Sequence, residues 1–333
     1  MSLTDLSDGL FGTSVNLEVV ERGLRRGLKT TKRSIGEKTI RRIGEDQIAT
    51  LLNTVSNPNR PRNNYIGDSV KKGKLLLERR ERNLKKWHNN EINFYEALAN
   101  SSTKLKCIPT FYNGKRFDEE NENMGFLCME FAKNSHSITI CECLSLAQTE
   151  EIISALVKVQ MSMSHIEKEK KSAFAINVYE ELYSDMLQSS ILSFRLDELR
   201  SMDSSLSSLI EKIDCYDGRL VNVKAFRTGH LDLGMESVVV HGDLYTPNIL
   251  WHYDENGKEK LNMIIDWQLK ASYEQLFPTI ALAFLTTAHK IFITSIKSCS
   301  EDERHQRTKA MVEKIRGILE DLIYFAKNKH EIL

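Results

Sequence analysis

The segment HGDLYTPNIL (241–250) contains a histidine, an aspartate and an asparagine beside apolar residues, and a second aspartate, Asp266, ends the apolar stretch MIID. An amide oxygen and a carboxylate suit Mg²⁺, which prefers hard oxygen ligands and keeps waters and substrate phosphates as its other ligands. A further carboxylate that the metal does not need can accept the proton of a hydroxyl group. These residues therefore predict phosphoryl transfer, with Asp243 as the base and with Asn248 and Asp266 as metal ligands.

Two paired strands are needed to bring these residues together. SVVVHGD predicts a short apolar strand that enters a loop, and NILWHY and KLNMIIDW predict two strands joined by the turn DENG. Pairing those two strands places Asn248, at the start of one, near Asp266, at the end of the other. Asp243 lies on the loop just before them. For His241 we predict structural support of this loop, not catalysis.

The order of these motifs resembles a known family. HxDxxxxN followed by a strand-terminal Asp is the pattern of a kinase catalytic loop, and HGDLxxxNIL…IIDWQ is similar to the aminoglycoside-phosphotransferase and choline-kinase branch of that fold. The chain looks closer still to the ecdysteroid-kinase-like, or CHK (choline-kinase-like) kinase-like, family. The matching pieces, in family order, are IGEDQ (43–47), HNNEINFYEAL (88–98), GFLCMEFA (125–132), SVVVHGDLYTPNILW (237–251) and LNMIIDWQ (261–268).

This resemblance implies a bilobal protein-kinase-like fold of the α+β class, with ATP and Mg²⁺ as cofactors. It also implies a small-molecule hydroxyl substrate, such as an ecdysteroid-like alcohol or a xenobiotic conjugate. Met129, Glu130 and Phe131 would form the hinge whose backbone binds adenine. Glu91 would match the helix glutamate that pairs with a phosphate-binding lysine; without the resemblance it would be taken for a solvated helical residue.

The sequence departs from the family pattern at that lysine. No strand of the form apolar-apolar-Lys-apolar lies between the IGEDQ turn and the helix of Glu91, and Lys71, Lys72 and Lys74 lie in the charged stretch VKKGK. Ala281 also stands where the family has an aspartate. Losing one preorganised charge contact of this kind costs about 10²–10³-fold in rate. The alternative function is therefore a catalytically impaired kinase-like protein, a pseudokinase, that binds a ligand or partner.

The same reasoning predicts the lobes and the other elements. We place an N-lobe with a shortened sheet at residues 1–131, and a helical C-lobe with the catalytic loop and the metal-binding hairpin at 132–333. Thr149 to Met163 predicts a helix with Thr149 as its N-cap. The remaining predictions are a strand and turn at 35–47, a loop at 53–70, a helix from Leu84 to Leu98, strands in CIPTFYNGK (107–115) and GFLCMEFA (125–132), a mostly helical 174–215 and a final helix at 302–329.

Composition restricts the partners and the location. Lys+Arg and Asp+Glu both number 46, so the net charge gives no reason to expect nucleic acid or an anionic membrane as a partner. The basic stretch VKKGKLLLERRERNLKKWH (70–88) could bind either, but such helices are more often solvated faces with paired charges. PTIALAFLTTAHKIFITSI (278–296) is interrupted by His289 and Lys290 and predicts a buried helix, not a membrane span. With no signal peptide and six scattered cysteines, we expect a cytoplasmic protein with reduced thiols.

Overall fold

The structure, a computed structural model, describes residues 17–27, 70–100, 104–120, 125–164, 187–216, 220–221, 238–267, 277–297 and 299–328. Helices and small antiparallel sheets make up these residues, which confirms the predicted α+β class. They belong to two compact units, one drawn from Met1–Ser102 and Pro109–Phe131, the other from Thr103–Ile108 and Ala132–Leu333. The kinase-like lobes at 1–131 and 132–333 remain a prediction.

The described residues of the first unit form two helices and a hairpin. Helix α1 spans Leu17–Gly27 and helix α2 spans Val70–Ala99. Strands β1 (Phe111–Lys115) and β2 (Phe126–Met129) pair antiparallel. The helix predicted from Leu84 is confirmed, although it begins at Val70, and both predicted strands are confirmed in shorter form.

Specific contacts fasten α2 to the hairpin. The rings of Tyr95 and Phe111 stack with centroids 6.1 Å apart. The Asn89 side chain donates to the backbone oxygen of Phe117 at 2.7 Å and accepts from its backbone nitrogen at 2.8 Å. An amide side chain that uses both its donor and its acceptor on one residue fixes the direction in which the chain leaves β1.

The second unit contains a three-stranded sheet covered by a helix. Strands β3 (His136–Ser137), β4 (Ile249–Tyr253) and β5 (Glu259–Ile264) pair antiparallel in the order β3-β4-β5. The predicted β4–β5 hairpin is confirmed, whereas β3 was not foreseen. Helix α3 (Leu146–Ser164) packs on the sheet, since Ile152 shares a buried cluster with Ile249 and Trp251.

The predicted start of α3 was wrong. The helix begins at Leu146, and Ser145 precedes it as the cap. Ser145 Oγ accepts from the Gln148 nitrogen at 3.2 Å, and Gln148 Oε1 accepts from the Ser145 nitrogen at 2.7 Å, which is a reciprocal capping box. Thr149 lies inside the first turn and donates its hydroxyl to the Ser145 carbonyl at 3.0 Å.

Among the described residues, four more helices build the main core of the second unit. They are α4 (Ser189–Met202), α5 (Ser207–Asp214), α6 (Phe277–Ser295) and α7 (Glu301–Asn328), so the final helix is confirmed. Their apolar residues form one large buried cluster, and Ala281 of α6 belongs to it. No helix in the described parts of the chain is long and apolar enough to cross a membrane.

Some predictions fall outside the described residues. The strand and turn at 35–47 and almost all of the loop at 53–70 are among them. Lys71, Lys72 and Lys74 lie in the first turns of α2, so none of these three lysines occupies a strand.

Candidate functional site

The residues predicted to do chemistry meet in the second unit, where an irregular loop leads into the β4–β5 hairpin. Residues 238–245 form this loop, so the strand predicted in SVVVHGD is wrong for its described part. Val239 is nevertheless buried. A short apolar run is compatible with a buried loop as well as with a strand, which explains the error. Gly242 has φ 86°, a left-handed conformation that glycine adopts without a steric penalty, and it turns the chain between His241 and Asp243.

The hairpin brings Asn248 and Asp266 together. Asn248 ends a 3-10 turn, Thr246–Asn248, directly before β4, and Asp266 follows the end of β5. The Ile265 nitrogen donates to the Asn248 carbonyl at 3.0 Å and so extends the pairing beyond the strands. The Asn248 Nδ2 atom lies 3.3 Å from Asp266 Oδ2.

The Asn248 side chain also holds the loop of Asp243. Its Nδ2 donates to the backbone oxygen of Asp243 at 2.9 Å, and the side chain is buried. The Tyr245 nitrogen donates to the same oxygen at 3.0 Å. One amide group therefore contacts both predicted aspartates through its nitrogen.

Asp266 has φ 67°, in the left-handed region that residues other than glycine rarely adopt. Aspartate tolerates this region better than most residues, but the conformation still costs free energy and is found where the surroundings hold it in place. Here the strand pairing on one side and buried Trp267 on the other fix the backbone, since Trp267 Nε1 donates to the Ile264 carbonyl at 3.0 Å.

His241 contacts its own loop, Ile265 and Trp267, and its role as a structural support of the loop remains a prediction. Its ring is 2% exposed, its Nε2 lies 2.7 Å from the Ile265 carbonyl, and its centroid is 4.6 Å from that of Trp267. The Asp243 nitrogen donates to His241 Nδ1 at 3.3 Å. Those two bonds require a neutral ring with its proton on Nε2. Burial lowers the pKa of His241 to about 4, which keeps the ring in this form.

The Asp243 carboxyl group has an altered pKa. Its burial and, secondly, the nearby charge of Asp266 raise its pKa to about 6. Both causes disfavour the ionised form, the first through the loss of water and the second through repulsion. A carboxyl group of this kind exchanges a proton closer to neutral pH than an ordinary aspartate does.

The donor set at the hairpin fits magnesium better than a metal that needs a full protein cage. Among the described residues, no group of three or more His, Cys, Asp or Glu side chains could hold a metal ion. Asn248 carries an amide oxygen, and its amide nitrogen lies within hydrogen-bond distance of the Asp266 carboxylate. Mg²⁺ is usually held by one or two protein groups together with waters and substrate phosphates, so this pair is sufficient for it.

The other predicted site residues belong to the first unit. Glu91 lies in α2 and is half-buried. Met129 ends β2, and Glu130 follows it with its nitrogen bonded to the Thr110 carbonyl at 2.8 Å. The Glu130 carboxylate also accepts from the Thr110 nitrogen and hydroxyl, at 3.1 and 2.6 Å. The Phe131 side chain is 60% exposed. Their roles toward a nucleotide remain predictions.

Sequence reasoning did not identify two contributors to the site. The first is the Ile265 carbonyl, which accepts from His241; a backbone group leaves no trace in residue type. The second is Gly242, whose positive φ turns the loop. A glycine between two polar residues of a motif was the available signal for that turn.

Comparisons with known proteins place the chain in a family. A family model for DUF1679, described as "Uncharacterized oxidoreductase dhs-27", matches residues 52–271. The match covers well over half of the chain, which therefore belongs to this family.

Two curated relatives come from Caenorhabditis elegans. "Uncharacterized oxidoreductase dhs-27" is 24% identical over 186 residues, which cover 54% of this chain and 22% of that protein. "Uncharacterized kinase-like protein D1044.1" is 26% identical over 181 residues, which cover 54% of this chain and 45% of that protein. The alignments thus span less than half the length of either relative. No solved structure matches the chain. The name of the second relative favours a kinase-like relation and specifies no substrate.

Proposed function

We propose that the protein is an ATP- and Mg²⁺-dependent phosphotransferase that acts on the hydroxyl group of a small molecule. The observation that supports this most is the shared contact of Asn248 with Asp266 and with the loop of Asp243. In the resembling kinase-like families an Asn and an Asp face the nucleotide phosphates, while a separate Asp faces the acceptor. The sequence motifs favour the ecdysteroid-kinase-like, or CHK-kinase-like, branch and a bilobal arrangement.

Each site residue has a defined task in this proposal. Asp243 orients the acceptor hydroxyl and takes its proton as the hydroxyl oxygen bonds to the γ-phosphorus and the bond to the departing ADP oxygen breaks. Asn248 and Asp266 would hold Mg²⁺, which when bound neutralises phosphate charge. His241 keeps the loop in place as a neutral brace.

The nucleotide base would be held by the first unit. Met129 pairs with Phe111 in the hairpin, and the Glu130 nitrogen donates to the Thr110 carbonyl. The backbone of Phe131 is therefore the first group we expect to contact adenine. Glu91 would serve in phosphate binding only if a lysine reaches it.

A second candidate function is that of a catalytically impaired kinase-like binding protein. Its support is that three lysines near Glu91 in the sequence do not occupy a strand. Lys71, Lys72 and Lys74 are helical, so none of them supplies the strand lysine of the family pattern. Binding of Mg·ATP separates the two candidates from a protein that binds no nucleotide at all, because a ligand that binds the native state raises its stability.

The oxidoreductase activity in the name of one relative is not part of this proposal. The alignment covers 22% of that protein, so its named activity can reside elsewhere in its chain. A dinucleotide-binding turn needs a Gly-x-Gly pair after a strand, and no two glycines of the present sequence are spaced in that way.

A cytoplasmic location completes the proposal. All six cysteines, at positions 107, 128, 141, 143, 215 and 299, are free. Free thiols are typical of compartments kept reducing by glutathione and thioredoxin.

Transfer of radiolabelled phosphate from ATP to a panel of steroid and xenobiotic alcohols tests the function. We expect Mg²⁺-dependent transfer by the wild type and a loss of about 10²–10⁴-fold in Asp243→Asn, because the acceptor proton loses its base. Asp302→Asn, at an exposed position of α7, removes the same charge away from the site and should be fully active.

Thermal unfolding with millimolar Mg·ATP, read together with the transfer assay, distinguishes the candidates. Equal silence of wild type and Asp243→Asn in the transfer assay, together with a clear rise of the unfolding midpoint, would establish the impaired binding protein. No rise of the midpoint and no transfer would reject nucleotide handling altogether. An Asp266→Asn variant that keeps the full Mg²⁺-dependent rise would show that Asp266 is not a metal ligand.

A further inference from the structure

A groove in the second unit lies apart from the residues of the candidate site. It has a volume of about 1110 Å³ and runs between helix α3, the segment 104–107 and the β4–β5 hairpin. None of Asp243, Asn248 and Asp266 lines it. Ile264 connects the segment to the hairpin, since its nitrogen donates to the Cys107 carbonyl at 2.8 Å.

All three walls of the groove carry lysines. Lys104 and Lys106 come from the segment, Lys158 from α3 and Lys258 from the hairpin. These four lysines are exposed, and the charge of Lys258 also acts on the carboxylates of Glu151 and Asp254. Four ammonium groups facing one concave surface repel each other and attract an anion more strongly than separate surface lysines do.

The acidic groups of the groove do not cancel this charge. Glu151 is engaged twice, since one of its oxygens lies 2.7 Å from Lys260 Nζ and the other accepts from the Leu261 nitrogen at 2.9 Å. Glu150 is the other carboxylate among the residues that line the groove. The groove therefore keeps a net positive charge.

The floor of the groove is apolar, which limits the kind of anion. Leu105, Ala155 and Leu261 line it, and Ala155 is buried. Ser154 and Asn262 add a hydroxyl and an amide group to the lining. Pockets of this composition bind a molecule that has an apolar body and a charged group at one end.

We propose that this groove binds a small phosphate ester with an apolar body. The lysines hold the phosphate as point charges, and the floor covers the hydrocarbon part. The inference does not depend on the proposed function, because it uses different residues and needs neither nucleotide nor metal.

Isothermal titration with 1-naphthyl phosphate tests it, in EDTA and at fixed ionic strength so that no magnesium-dependent site contributes. Wild type should bind this probe more tightly than either 1-naphthol or inorganic phosphate. The variant Lys104→Gln/Lys158→Gln/Lys258→Gln removes one lysine from each wall and should bind roughly tenfold more weakly. Asp243→Asn should bind as the wild type does.

The matched control removes the same charge elsewhere in the second unit. Lys212→Gln/Lys309→Gln/Lys327→Gln changes three exposed helical lysines and should bind as the wild type does. Unchanged binding by the groove variant, an equal loss in the control, or equal affinity for 1-naphthol would each overturn the proposal. Circular dichroism of the groove variant confirms that a loss of binding is not a loss of fold.

Discussion

The raised pKa of Asp243 affects both the stability of the fold and the proton transfer that we propose. Its surroundings raise its pKa to about 6, through burial and through the charge of Asp266, so at neutral pH the folded protein keeps an ion that its site disfavours. A general base is most effective when its pKa lies near the working pH. The raised pKa that suits the base role we propose for Asp243 therefore lowers the stability of the fold at neutral pH, which is a common trade between activity and stability.

Replacing this carboxylate by its neutral isostere should stabilise the protein at neutral pH. The unfolded Asp243 ionises near its ordinary pKa of 3.8 and the folded one near 6, so the free energy of unfolding falls as the pH rises through this range. Asp243→Asn lacks this loss and should gain up to roughly 3 kcal/mol at pH 7.5. Urea unfolding of both proteins measures the difference, with Asp321→Asn, at an exposed position away from the ends of α7, as the control. A variant less stable than the wild type at pH 7.5 contradicts the raised pKa.

The pH dependence of the same pair tests the neutral state of His241. Its pKa is about 4 in the folded protein and 6.5 ordinarily, so the unfolded state binds the extra proton and stability falls as the pH drops from 6.5 to 4. Over nearly the same range the wild type gains stability from protonation of Asp243, and the two effects offset each other. In Asp243→Asn the loss from His241 is no longer masked. The free energy of unfolding of Asp243→Asn should therefore fall as the pH drops from 6.5 to 4.5, while that of the wild type changes less. An Asp243→Asn curve that stays flat over this range would refute the lowered pKa of His241.

At the scale of elements, the hairpin explains how much of the site a sequence can predict. Alternating apolar residues and a turn rich in Asp, Asn and Gly specify β4 and β5, and their pairing alone brings Asn248 beside Asp266. The left-handed backbone of Asp266 depends on the bond that Trp267 makes to a backbone carbonyl. The Ile265 carbonyl accepts from His241, which is distant in sequence. No local pattern encodes such contacts, so these features became visible only in the fold.

The turn of this hairpin allows a matched pair of substitutions. Gly257 has φ +72°, and a Cβ added there meets nothing within 4 Å, so Gly257→Ala should cost about 1 kcal/mol from backbone strain alone. Gly317, inside α7, also has open space around an added Cβ. Gly317→Ala should instead stabilise by about 0.5–1 kcal/mol, because alanine favours the helix. Chemical denaturation of both variants should show opposite signs, and two changes of the same sign would contradict the conformational explanation.

The start of α3 shows why helix boundaries are hard to predict from sequence. Ser145 and Thr149 are both acceptable caps, and the glutamates that follow Thr149 favoured the later position. Ser145 is the cap in the structure, because Gln148 accepts from the Ser145 nitrogen and also bonds to Glu259 of β5. A tertiary contact thus decides between two locally similar choices.

A serine pair in this helix tests that assignment. Ser145→Ala removes the cap and should destabilise the second unit by about 1 kcal/mol. Ser154→Ala, at an exposed position inside the same helix, should be neutral or slightly stabilising, since alanine has the higher helix propensity. Thermal unfolding measures both. If Ser154→Ala costs as much as Ser145→Ala, the loss does not come from capping.

At the scale of the whole molecule, the described residues of the two units differ in how they are packed. The second unit buries a large cluster from helices α4 to α7, to which Cys141 belongs. In the described part of the first unit, two helices lie against a two-stranded hairpin that carries Cys128, and such hairpins have little stability of their own. The composition indicated a chain large enough for two lobes, but it could not indicate which one would hold more buried apolar surface.

The free cysteines report this difference directly. Cys128 is half-buried and its burial raises its pKa to about 11, whereas Cys141 is 2% exposed in the main core. The experiment is pulsed alkylation at high pH and rising urea concentration, followed by mass spectrometry. Cys128 should be labelled at lower urea than Cys141, because local opening of a hairpin requires less free energy than opening the core. Cys143, only two positions from Cys141 but exposed, should react without urea and serves as the matched control. Labelling of Cys128 and Cys141 at one common midpoint would show that the two units unfold as a single cooperative structure, contrary to the order that their packing predicts.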